Sequence, residues 1–172
     1  MNRRRLKPGL CKRQNPPVSV DHYENFPVAS VLCPPAIRPA VAAIYHFART
    51  ADDIADEGTA STTKRLAALA AYREDLGHAL AGRPVSDRWP GVFRALALQS
   101  QRFQLPAQPL GDLLDAFVQD AGNPLYEDRA QLLDYCRRSA NPVGRLLLHL
   151  YGIHDAVSLR ESDAICSALQ LI

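Results

Sequence analysis

Apolar residues along this chain recur at intervals of three and four, and period-two alternation is almost absent. That is the pattern of helices with one buried side. The spacing predicts a short helix over about His22–Leu32, capped by Asp21 and stopped by Pro34-Pro35. A long helix follows over about Ala36–Glu57, with Pro39 in the first turn, where a missing N–H is harmless, and Gly58 at the end. Further helices are predicted over about Thr63–Ala81, about Pro90–Phe103 and about Pro109–Ala121, after which Asn123-Pro124 interrupts the chain. A segment over about Asp128–Tyr151 holds Pro142 in its middle and should kink there. The last helix is expected to start at Ser158-Leu159-Arg160-Glu161, the spacing of a capping box, and to run apolar into Leu169–Ile172. The expected fold class is all-α.

The 172 residues are 47% hydrophobic and 22% charged, which suits one globular domain or a piece of one and excludes a disordered or fibrous chain. Six bases and no acid fall in residues 1–20, which read as a loose, disordered basic arm; residues 21–172 carry 18 acids against 14 bases. A net acidic body excludes a nucleic-acid grip. The arm reads first as solvated, with peripheral contact to an anionic membrane surface as the alternative. Cys11, Cys33, Cys136 and Cys166 have no metal or CxxC spacing, and no apolar run follows the arginine-rich start. A cytoplasmic protein with reduced thiols and no signal peptide is expected. An apolar helix without a cap is an unusual finish, so the chain reads as a fragment, with exposed apolar patches expected near Leu146–Leu150 and Leu169–Ile172.

The long helix carries the candidate chemistry. At about 100° per residue, Tyr45, Arg49, Asp52 and Asp56 share a stripe about 60° wide, with Asp53 beside it. Ile44, Phe47, Ala51 and Ile54 lie opposite. A mixed charge run is ordinarily a solvated face. Here Asp52 and Asp56 are like charges four apart, and all three aspartates sit at the helix end that disfavours anions. Carboxylates so placed can hold a hard divalent ion such as Mg²⁺, with diphosphate oxygens completing its shell. The spacing leaves both readings standing.

The run Tyr45-His46-Phe47-Ala48-Arg49-Thr50-Ala51-Asp52-Asp53-Ile54-Ala55-Asp56 resembles the first aspartate-rich motif of the squalene/phytoene synthase family. His22-Tyr23-Glu24-Asn25-Phe26-Pro27-Val28-Ala29-Ser30 resembles that family's N-terminal His/Phe segment. Asp134-Tyr135-Cys136-Arg137-Arg138-Ser139-Ala140-Asn141-Pro142-Val143-Gly144 is most similar to its hydroxysqualene synthase branch, because other members usually have Val-Ala-Gly-x-Val-Gly there. The resemblance covers residues 21–172 and implies one all-α isoprenoid synthase domain. It implies Mg²⁺ held by Asp52, Asp56 and Asp53, Arg49 on a diphosphate, and Tyr45 beside it. It sets His22 and Phe26 at the mouth of the cavity, Tyr135 beside the reacting carbons, and Asn141 and Gln170 in contact with substrate. Asp120 and Tyr126 are hinted near the mouth, but read equally well as a helix end and a packing aromatic. Arg137-Arg138 reads as a solvated pair before a second diphosphate contact. The second aspartate-rich motif would begin just after Ile172, so half of the metal site is expected outside this chain.

The implied partner is a prenyl diphosphate, presqualene diphosphate or farnesyl diphosphate, bound by a monomer. The implied reaction takes presqualene diphosphate and water to hydroxysqualene and diphosphate, in squalene or hopanoid formation. Phytoene, dehydrosqualene or presqualene diphosphate synthase activity is the alternative within the family. An inactive, truncated helical module is the alternative of another class.

Overall fold

A computed structural model describes residues 32–122 and 124–171. The expected helix over 22–32 lies outside the described residues, apart from Leu32. The described part is all-α, with seven helices: α1 (Arg38–Asp56), α2 (Thr62–Leu80), α3 (Pro90–Phe103), α4 (Ala107–Ala121), α5 (Arg129–Ser139), α6 (Asn141–Leu150) and α7 (Ala156–Gln170). Helix α1 packs on α2, α3 and α4; α5 and α6 join through α4, and α7 packs on α6 and α5.

Helix α1 buries Ala40, Ala43, Ile44, Phe47, Ala51 and Ala55, a single face at helical spacing. Pro39 occupies its first turn, and Gly58 follows its end with φ +74°, a left-handed conformation that suits glycine. The core centres on rings: Tyr72 lies 5.5 Å from Phe47, 4.6 Å from Phe93 and 4.9 Å from Trp89, centroid to centroid. The buried Tyr72 hydroxyl donates to the Phe47 carbonyl at 3.0 Å, so its polar group is satisfied without leaving the core. Behind this cluster, buried Asp75 accepts from the Ser86 backbone N–H at 2.8 Å and from its hydroxyl at 2.5 Å. That ties the α2–α3 connection to α2.

Two expectations are corrected. The segment predicted as one kinked helix is two, α5 and α6, divided at Ala140 (φ −114°, ψ −49°). Pro142 has no N–H for the carbonyl one turn back, and its ring crowds that carbonyl, so the first helix ends and Pro142 enters the first turn of the next. The capping box at Ser158 does not form. Asp155 caps α7 instead, accepting from Val157 N–H at 3.1 Å and Ser158 N–H at 2.9 Å. A carboxylate satisfies two of the free amides and opposes the positive helix end, which a serine hydroxyl cannot match.

Leu146 and Leu150 are buried and Leu147 and Leu148 half-buried, whereas Leu169 and Leu171 are exposed as expected. Among the described residues, no helix is long and apolar enough to cross a membrane.

The α6–α7 crossing is close because Gly144 has no side chain. A Cβ built there would fall 2.6 Å from Cys166 Sγ and would also overlap Ser162 Oγ. Arg145 pairs with Asp163 through two bonds, 3.0 and 2.6 Å, and Ser167 donates to Asn141 Oδ1 at 2.9 Å. Making room requires new rotamers of Ser162 and Cys166 or movement of the helix. Gly144→Ala should therefore lower unfolding stability by about 1–3 kcal/mol, read from the midpoint of a denaturant titration. An unchanged midpoint would contradict this crossing.

Candidate active site

The buried face of α1 determines where its polar stripe points. Arg49, Asp52 and Asp53 are half-buried on the other side of the helix, while Asp56, its last residue, is exposed. Of the two carboxylates four apart, Asp52 is thus half-sheltered, whereas Asp56 has no further turn of α1 to shelter it. Arg49 is the hub: Nη1 lies 2.8 Å from Asp52 Oδ2, and Nη2 lies 2.6 Å from both Asp53 Oδ1 and Glu57 Oε1. Part of the compensation for the crowded carboxylates thus comes from within the same stretch of chain. Asp53 Oδ1 is buried and in ion-pair contact with Arg49, but no donor is aligned on it for a hydrogen bond.

The charges remain imperfectly balanced. Burial and then the charge of Asp56 push the Asp52 carboxyl above its ordinary range, against the pull of Arg49. Burial raises Asp53 as well, with Arg49 opposing and Glu57 adding. Burial draws the Arg49 guanidinium down, but the surrounding carboxylates, Asp53 first, outweigh it and leave it above its ordinary value. Arg49 is thus a fixed cation.

Further groups come from the end of α4, the connection after it and α5. The Tyr135 hydroxyl donates to Asp120 Oδ2 at 2.8 Å. Tyr126 lies 5.3 Å from Tyr135, ring to ring, and accepts a bond from Gln119 Nε2 at 3.1 Å. Arg138 donates to Gln119 Oε1 at 2.9 Å and pairs with Asp134 at 3.0 Å. Arg137 is mostly exposed, so the solvated reading suits it and not Arg138. Burial lifts the Asp120 carboxyl, and the charge of Asp56 adds to this against the Tyr135 bond. Asp52 in turn feels Asp120. Burial and the bond to Asp120 hold the Tyr135 phenol well above the ordinary tyrosine value. Asp120, Tyr135 and the aspartates of α1 therefore belong to one electrostatic neighbourhood.

The remaining expected residues lie in different places. Tyr45 is half-buried on α1, its ring edge-on to His46 at 5.5 Å. Asn141 is buried and bonded to Ser167, in the wall of a separate groove of about 760 Å³ between α5, α6 and α7. Asp52, Asp56 and Asp120 do not line that groove, and the perturbed carboxylates favour the α1–α4–α5 face as the site. Gln170 is the last residue of α7 and is exposed. His22 and Phe26 lie outside the described residues. Asp120 is the functional candidate that sequence reasoning left undecided. A lone aspartate at a helix end carries no signal until Tyr135 is placed against it.

Among the described residues, no group of three His, Cys, Asp or Glu side chains is arranged to hold a metal ion alone. The donor set fits Mg²⁺ in its usual manner of binding, through one or two carboxylates with substrate phosphates supplying the rest. Asp52 and Asp56 are hard oxygen donors whose mutual repulsion a divalent ion would relieve, and no donor is aligned on Asp53 Oδ1 for a hydrogen bond.

Residues 20–172 match the protein family described as squalene/phytoene synthase. The chain belongs to the squalene/phytoene synthase family. It is 42% identical over 150 residues to the hydroxysqualene synthase of Zymomonas mobilis, covering 87% of this chain and 48% of that protein. It is 34% identical over 155 residues to the presqualene diphosphate synthase of the same bacterium, covering 90% of this chain and 52% of that protein. The crystal structure of squalene synthase HpnC from Alicyclobacillus acidocaldarius superposes with a TM-score of 0.76 at 42% identity, over 87% of this chain and 54% of that one. The all-α isoprenoid synthase fold is therefore the fold of this family member. The chain spans about half the length of the curated relatives it matches.

Asp120→Asn keeps an acceptor for Tyr135 and removes the charge facing Asp52 and Asp56. Carboxyls raised in the folded state bind protons more tightly folded than unfolded. They add stability as pH falls through their raised values and withdraw it as pH rises. The variant should melt no lower than the parent at neutral pH, and its midpoint should vary less between about pH 4 and 7. A lower midpoint at neutral pH would contradict this electrostatic account.

Proposed function

We propose that this chain carries one wall of a hydroxysqualene synthase active site, acting on presqualene diphosphate and water. The observation that carries the reading is the identity to two synthases of one bacterium, 42% to the hydroxysqualene enzyme against 34% to the presqualene diphosphate enzyme. The polar stripe of α1 facing Asp120 and Tyr135 supports it chemically. In the reaction, the carbon–oxygen bond to the diphosphate breaks and both electrons leave with the diphosphate. After rearrangement of the cation, water supplies the new carbon–oxygen bond and gives up a proton.

Asp52 and Asp56, with Asp53 beside them, are the carboxylates proposed to hold Mg²⁺. When bound, the ion would neutralise charge developing on the diphosphate. Arg49 stays cationic at any working pH and adds a fixed positive charge on the same stripe. Tyr45 is proposed to hydrogen-bond near the diphosphate. His22 and Phe26 are proposed at the cavity mouth, with Asn141 and Gln170 among the substrate-binding residues. Tyr135 is proposed beside the cation. Its hydroxyl is tethered to Asp120, which fixes the ring so that its face can stabilise positive charge. A dry cavity would delay capture by water, and one wall cannot supply that enclosure. We therefore propose that the 172-residue chain alone has no turnover. Presqualene diphosphate synthase is the second reading within the family, and the lower identity tells against it.

The test joins this chain to the complementary half of each Zymomonas mobilis synthase. With the hydroxysqualene synthase half and Mg²⁺, presqualene diphosphate should yield hydroxysqualene. With the presqualene diphosphate synthase half, farnesyl diphosphate should not be condensed. The reverse pattern would overturn the reading. In the active chimera, Asp52→Asn and Asp56→Asn should each lower kcat by about 100-fold or more. Full turnover by both would remove the metal assignment.

A further inference from the structure

Helix α1 ends without the support that a helix end normally has. Asp52, Asp53 and Asp56 crowd its C-terminus, Glu57 follows, and no basic residue lies in its last turn. Anions are disfavoured at that end, and an unsupported end frays. From Asp56 to Lys64 every residue is exposed, so no side chain of the connection to α2 is anchored in the core. Ser61, the residue at the N-cap of α2, makes no side-chain capping bond.

Arg65, half-buried in the first turn of α2, holds this connection instead. Its guanidinium reaches back along the chain. Nη2 donates to the Gly58 carbonyl at 3.0 Å and Nε to the Ala60 carbonyl at 3.1 Å. Gly58 is left-handed, at φ +74°, so the first bond fixes the bend two residues after Asp56. The remaining nitrogen, Nη1, is shut off from solvent with no aligned partner. Arginine ordinarily keeps its charged head in water, and here it gives up part of that hydration to grip two backbone carbonyls. A planar fork of donors can hold two acceptors at once, which an ammonium cannot match. On the near side of the bend, Glu57 N–H donates to the Asp53 carbonyl at 3.0 Å, and Glu57 Oε1 meets Arg49 Nη2 at 2.6 Å. Arg65 therefore grips the chain directly after the acids that Arg49 gathers.

We propose that Arg65 is a positioning residue for the metal site. By clamping the bend at Gly58 and Ala60 it keeps the last turn of α1 wound. Only in a wound turn do Asp52 and Asp56 lie as neighbours on one face, where they can share a divalent ion. The proposal rests on the metal assignment made above, but one of its readouts, amide exchange without Mg²⁺, does not depend on that assignment.

The test uses the active chimera. Arg65→Met removes the donors and keeps the stem. It should raise the Mg²⁺ concentration for half-maximal rate about ten-fold or more, with kcat at saturating Mg²⁺ near the parent value. Arg65→Lys keeps the charge and loses the fork, and should behave like Arg65→Met. Without Mg²⁺, the amides of Asp53 to Glu57 should exchange about ten-fold faster in Arg65→Met, while the buried middle of α1 around Phe47 is unchanged. Gly144→Ala, which weakens a different part of the fold, should move neither readout. An unchanged Mg²⁺ requirement in Arg65→Met, with or without faster exchange, would overturn the proposal. So would Arg65→Lys equal to the parent, or an equal shift with Gly144→Ala. Full turnover by Asp52→Asn and Asp56→Asn would instead overturn the metal assignment itself, and faster exchange in Arg65→Met would then show a clamp that serves the helix end alone.

Discussion

The hydrogen bond from the Tyr72 hydroxyl to the Phe47 carbonyl, inside a cluster of rings, is the constraint on which the rest depends. It locks the rotation of α1 from the inside. Truncating a buried ring of this kind costs roughly 3–5 kcal/mol, whereas a partly exposed ion pair contributes about 0–1 kcal/mol. The core therefore decides which way α1 faces, and the Arg49 pairs follow. Because Phe47 and Ala51 face inward, Arg49, Asp52 and Asp53 are left on the outer side of α1, where Asp52 feels the charge of Asp120 on α4.

The polar face that results is under electrostatic tension. Three carboxyls, on α1 and α4, sit above their ordinary range, burial being the first cause in each, while one arginine spans three acids. Such an arrangement is a poor way to stabilise a helix and a good way to attract a cation and an anionic group together. Tyr135 is tied into the same neighbourhood through Asp120, so ring orientation and local charge are coupled.

Much of this was legible in the sequence, for physical reasons that differ by element. Helix α3 was bounded at Pro90 and Phe103 because a proline opens it and one clear amphipathic run fills it, whereas the left-handed Gln104 that closes it shows only in the backbone. The α1 stripe was legible because helical angles alone fix it. The division at Ala140 was read as a bend, since periodicity carries no information on whether the helix resumes around Pro142. Asp155 was passed over for Ser158 because both are capping residues and only backbone geometry separates them. Asp120 and the Asn141–Ser167 bond depend on partners 15 and 26 residues away, beyond any local pattern.

The bond between Asp75 and Ser86 has a consequence for how this half can vary in length. It holds the α2–α3 connection by a backbone amide and a hydroxyl, and Trp89, three residues on, rests edge-on against Tyr72. The connection is thus a strut of the aromatic core, not slack between two helices. Its span is gauged to the ring it delivers. Added or deleted residues between Ser86 and Trp89 would shift that ring, loosen Tyr72 and let α1 roll. A loop that contributes no group to the candidate site thereby sets the alignment of every group on α1 that does.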